Sequence, residues 1–178
     1  MTPTFLTGLI GSLILITGAA WSEPKRKTHN IKSIKNWLFA IGGFTMLAYS
    51  ILGYMEGGPI FFIFLQALVG VSSILMMIDA PEKVDIPILS ISALALTIWS
   101  LYLFEGYNTI FFILGLTGIS MGYTFQMGTV RRDLSLTLGS ILIAVFSYIE
   151  ASWIFFWLNV FFALFAGAYV IKKLIKKQ

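Results

Sequence analysis

Read along the chain, apolar positions come in long unbroken runs rather than in the alternation of a half-buried strand, and the runs are separated by short polar or glycine- and proline-bearing connectors. A helix needs roughly 17 to 25 residues to cross a hydrocarbon core of about 30 Å. Seven runs of about that length are present: Thr4 to Trp21, Trp37 to Tyr54, Ile60 to Ile78, Ile86 to Phe104, Thr109 to Met127, Leu134 to Ile149 and Trp153 to Ile171. The connectors carry Pro24 and Asn30, then Gly57-Gly58-Pro59, then Pro81 and Pro87, then Gly106 and Asn108. A β-barrel is disfavoured, because its strands alternate in segments of about ten residues. The pattern predicts an all-α integral membrane protein with seven transmembrane helices.

The basic residues set an orientation, since short cytoplasmic loops retain Lys and Arg. Lys25, Arg26, Lys27, Lys32 and Lys35 fall between runs one and two, and Lys83 between three and four. Arg131 and Arg132 fall between five and six, and Lys172, Lys173, Lys176 and Lys177 follow seven. All 12 therefore lie on one side, while the opposite turns carry Glu56, Glu105 and Glu150. This predicts the N-terminus outside and the C-terminus inside, and a count of six or eight would scatter the charges over both faces. No basic stretch precedes the first run, which is therefore expected to be a retained helix rather than a cleaved signal.

An internal likeness divides the seven. FTMLAYSILGYME, Phe44 to Glu56, aligns with LGSILIAVFSYIE, Leu138 to Glu150, and IFFIFLQ from Ile60 aligns with WIFFWLN from Trp153. GLIGSLI from Gly8 resembles GLTGISM from Gly115. These matches predict two parallel three-helix repeats joined by a linker helix, a 3+1+3 plan of the kind found in transporters. The expected divisions are 1–80, 81–106 and 107–178, the last carrying the basic cytoplasmic tail.

Composition narrows the chemistry. Hydrophobic residues make up 58% and charged residues 11%, too apolar for a soluble domain, which is about a quarter charged. There is no Cys, which excludes disulfides and thiolate chemistry, and the single His29 stands in a basic connector. No catalytic set, metal-ligand cluster or phosphate loop can be assembled, so neither an enzyme nor a cofactor is expected. The net charge of +4 is explained by membrane edges, and no basic face interleaved with aromatics points to nucleic acid.

Within the apolar runs the notable polar residues are Gln66 and Asn159, which the repeat places at matching positions. A buried amide without a partner costs free energy, so each should face a neighbour or a hydrated cavity. Two readings stand side by side: a pair of solute contacts near mid-membrane, or two structural interhelical hydrogen bonds. Trp157, two residues before Asn159, is a candidate stacking wall, with lipid-facing or packing roles as its alternative. Gln126 at the end of run five is a candidate inner gate, and Glu56 and Glu150 are candidate outer-mouth groups, with interfacial and capping roles as the plainer alternatives. Trp21, Trp37 and Trp153 fit an aromatic belt. No ionisable residue lies in the middle of a run, which favours passive facilitation over ion coupling.

The 3+1+3 plan, the outside N-terminus and an amide in the third helix of each half resemble the SWEET sugar transporters and the wider PQ-loop group. The first half also resembles the small membrane domain at the N-terminus of some lipid-A-disaccharide synthases. That likeness rests on Trp21-Ser22-Glu23, the basic run at Lys25, Ile31, Trp37, Gly42-Gly43, Tyr49, Phe64 and Gln66, and more thinly on Phe125-Gln126, Arg131-Arg132 and Leu134-Ser135. Unlike SWEET-like chains, this one has no Pro in runs two, five, six and seven. The resemblance implies a facilitative transporter of the bacterial cytoplasmic membrane that moves a small neutral polar solute, sugar- or vitamin-like, through a central site between the repeats, with Gln66 and Asn159 as contacts. The alternative is a noncatalytic lipid- or partner-binding subunit of glycolipid metabolism. Membrane lipids and a small-molecule solute are the expected partners, with self-association left open.

Overall fold

The structure, a computed structural model, describes residues 2–21, 33–125 and 129–175. Among them the chain is entirely α-helical: α1 (Pro3–Ala20), α2 (Ile34–Met55), α3 (Phe61–Met77), α4 (Glu82–Tyr102), α5 (Tyr107–Thr124), α6 (Val130–Ile149) and α7 (Trp153–Ile175). Five of the seven, α1, α2, α4, α6 and α7, are long and apolar enough to cross a membrane, and α3 is a shorter apolar helix of 17 residues. The protein is an integral membrane protein.

Local chemistry explains most helix ends. Thr2 caps α1 by accepting from the Phe5 N–H, with Pro3 in the first helical turn. Ser33 caps α2 and Thr129 caps α6 in the same way, which starts both helices three or four residues earlier than their apolar runs. Pro87, read from sequence as a connector residue, lies inside α4, whose first turn is Glu82 to Asp85. Position explains the tolerance: so close to an N-terminus the ring removes a single helical hydrogen bond. At the other end α7 continues through Lys172 and Lys173, because cations favour a helix C-terminus.

Three helices end in the same left-handed turn. After α2, Gly57 takes φ 94° and the Gly58 N–H reaches back to the Gly53 carbonyl. After α3 the left-handed residue is Asp79, and after α6 it is Ala151, at φ 52°, with the Ser152 N–H donating to the Ser147 carbonyl. Alanine in this conformation carries a steric cost that glycine lacks. Ala151→Gly is therefore expected to stabilise the protein by about 1 kcal/mol, read as a higher thermal midpoint in detergent; an unchanged or lower midpoint would count against the turn.

The chain divides into two compact units, Met1–Asp85 and Ile86–Gln178, so the boundary falls at the first turn of α4. Within the first unit α1 packs on α2 and α2 on α3; within the second α5 packs on α6 and α6 on α7. Small residues let the backbones approach. A Cβ at Gly42 would lie 2.8 Å from the Leu15 side chain, and one at Gly11 would lie 3.0 Å from Met46. In the second unit a Cβ at Gly115 would lie 2.8 Å from Ile143, and one at Gly118 would lie 3.0 Å from the Cα of Gly139.

These contacts match the two units in a register different from that of the sequence likeness. Sequence similarity pairs Gly8 with Gly115 and Phe44 with Leu138. Packing pairs Gly11 with Gly115 and Leu15 with Ile119, and along the second helix it pairs Gly42, Met46 and Ser50 with Gly139, Ile143 and Ser147. The shift is about one helical turn. Apolar side chains interchange freely in an alignment, whereas the crossing is fixed by the small residues and what fills the space opposite them. In α3 and α7 the two registers agree: Phe62, Leu65 and Gln66 are buried, and so are Phe155, Leu158 and Asn159.

Candidate functional site

Gln66 stands on α3, the helix with the fewest exposed positions, amid buried Phe62, Phe64, Leu65 and Leu68. Its side chain is 2% exposed, and its Oε1 oxygen has no hydrogen-bond partner among the described residues. An orphaned buried acceptor of this kind costs roughly 1–3 kcal/mol. Buried amide oxygens are ordinarily hydrogen-bonded, so this one is an exception to account for.

Asn159 on α7 is 4% exposed and is handled differently. Its Nδ2 donates 2.8 Å to the carbonyl of Phe155 one turn back. A backbone carbonyl can only accept, so the contacting atom is the nitrogen, and the Oδ1 oxygen is the group left over. Each amide stands near the start of its helix. Gln66 follows Phe61 by about 7–8 Å of rise and Asn159 follows Trp153 by about 9 Å.

Trp157 does not join Asn159. Two residues apart on a helix means a separation of about 200° around the axis, and Trp157 is 55% exposed. It belongs instead to an aromatic series along α7, with ring centroids 5.1 Å from Phe156 and 6.4 Å from Phe161. The series continues to Trp153, which is exposed, as are Trp21 and Trp37. Gln126 lies outside the described residues.

Glu56 and Glu150 occupy equivalent places, each the C-cap of the second helix of its unit. The Thr4 hydroxyl at the start of α1 donates 2.5 Å to Glu56 Oε1, and the Asn108 amide at the start of α5 donates to Glu150 Oε1. Each carboxylate therefore ties the first helix of its unit to the second at the end where α1 and α5 begin.

The sequence reading passed over one polar pair. Asp133, in the first turn of α6, forms an ion pair with Lys173 of α7, and the two side chains are 11% and 29% exposed. In the packing register Asp133 matches Asn36, a buried polar residue in the first turn of α2, and the sequence alone carried no signal for the pair. Among the described residues no group of acidic or His side chains is arranged to hold a metal ion. No family model, curated protein or solved structure matches the chain.

Proposed function

We propose that the chain is a small membrane transporter, facilitative in mode, that admits a small neutral hydrogen-bonding solute and contacts it through the amides of Gln66 and Asn159. The observation that carries this reading is the partnerless Oε1 of Gln66 within an apolar helix, because a solute would supply the missing bond. The seven helices then span the membrane as parallel 3+1+3 repeats, in line with the SWEET-like resemblance. Matching buried faces in α1 to α3 and α5 to α7 support the repeat. An inward C-terminus is supported by Lys35, Lys83, Arg131, Lys172 and Lys173, all at the helix ends opposite Glu56 and Glu150. The membrane proposed is the bacterial cytoplasmic one.

Proteoliposomes challenged with a panel of sugars, polyols and vitamin-like solutes test the proposal. At least one is expected to enter faster than into protein-free vesicles, and Asn159→Leu is expected to lower that rate at least about tenfold, the equivalent of one lost hydrogen bond of about 1.4 kcal/mol. An unchanged rate in the variant would remove Asn159 from the site. The competing reading, a lipid- or partner-binding subunit, draws on the basic end of α7 at Lys172 and Lys173. Anionic lipid that copurifies with a protein showing no flux would favour it.

A further inference from the structure

We propose that the end of the α6–α7 hairpin opposite Glu150 holds the headgroup of an anionic membrane phospholipid on Arg131, Arg132 and Lys172. The short turn after α6 sends α7 back along it, and the two helices pack together. From that turn Arg132 lies about 26 Å along α6 and Lys172 about 29 Å along α7, so the cations share one level. The Asp133–Lys173 ion pair keeps the helices together there, and further in a Cβ at Gly167 would stand 3.7 Å from the Thr137 side chain. Asp133 is the one carboxylate in either helix, and Lys173 takes it. Arg131, Arg132 and Lys172 are left without a carboxylate partner among the described residues, the first and last exposed and Arg132 half-buried.

The surroundings select a lipid over a soluble anion. Leu134 near the arginines is exposed, as are Ile171, Leu174 and Ile175 around Lys172, so apolar surface runs along α7 on both sides of the ammonium group. This sets the cations where acyl chains give way to headgroups. A phospholipid satisfies both halves: its phosphate neutralises cations that otherwise repel one another, and its chains cover the apolar residues. Inorganic phosphate gains only the first. The headgroup must be net negative, because the ammonium of a zwitterionic one would meet the same cations. None of these residues is assigned to the solute, so the site stands apart from the transport reading.

Native mass spectrometry of the full chain in mild detergent, titrated with phosphatidylglycerol and with phosphatidylcholine of the same acyl chains, tests the proposal. Phosphatidylglycerol is expected to bind about tenfold more tightly or better. Lys172→Gln should weaken its binding about fivefold, and the triple variant Arg131→Gln, Arg132→Gln, Lys172→Gln about a hundredfold. Lys83→Gln removes one charge from an exposed position near Glu82 and Asp85, where an anion has no cause to settle, and should change nothing. Inorganic phosphate at matched ionic strength should fail to displace the lipid; displacement would make this a free-anion site and overturn the lipid assignment. Equal binding of the two lipids would overturn it as well and leave the cations to an acidic protein partner. An equal loss in Lys83→Gln and Lys172→Gln would reduce the site to diffuse surface charge. Solute entry takes no part in these measurements, so failure here and failure of the transport reading are separate results.

Discussion

Replacing Gly139 by alanine is expected to destabilise the second unit by about 3 kcal/mol, at the upper end of what an added methyl costs. The added Cβ would sit 2.6 Å from the backbone nitrogen of Ile119 and 2.9 Å from the carbonyl oxygen of Gly115. Both obstacles are main-chain atoms of α5, so no side chain can rotate aside and the helices must separate. Separation would also undo the contacts of Gly115 with Ile143 and of Gly122 with Leu136. The control is Gly70 in α3, where an added Cβ would meet nothing nearer than 3.9 Å. There the same substitution should stabilise, by about 0.5–1 kcal/mol, through the better helix propensity of alanine. Thermal unfolding in mild detergent compares the two, and equal effects would refute the close α5–α6 crossing.

The second large effect concerns Asp133. Asp133→Ala would leave the Lys173 ammonium facing a site from which water is largely excluded. Breaking a fully buried pair costs about 3–5 kcal/mol. Lys173 keeps 29% exposure and can extend toward solvent, so about 1–3 kcal/mol is the reasonable expectation. The double variant Asp133→Leu with Lys173→Met should recover most of the loss, since apolar replacement of both partners removes the desolvation cost together with the attraction. A double variant as unstable as Asp133→Ala would show that Asp133 serves something besides Lys173.

How legible this protein is in its sequence varies by scale. Helix existence was readable because unbroken apolar runs have one economical structure in lipid, and all seven runs correspond to helices. Ends were less so. Ser33 and Thr129 act through a side-chain oxygen that hydropathy ignores, and Lys172 and Lys173 look like a tail while favouring the helix that carries them. The likeness of α1–α3 to α5–α7 is visible in letters, yet the close helix approaches in the two units are made at Gly11, Gly42, Gly115 and Gly139, whose meaning depends on the residue facing them. For the site, the burial of Gln66 and Asn159 followed from an amide in an apolar run. The bond from Asn159 to the Phe155 carbonyl did not, since that depends on its rotamer. Trp157 and Asn159 differ in exposure because neighbours at a spacing of two point to different sides of a helix.

The glycine crossing of α5 and α6 has a mechanical consequence. With Gly118 seated on Gly139 and Gly122 on Leu136, sliding one helix along the other would drive Ile119 or Leu136 into space that only a hydrogen occupies. The pair therefore resists axial sliding. The Glu150-Ala151-Ser152 turn that follows is held by backbone hydrogen bonds and leads into α7, which packs on α6 as well.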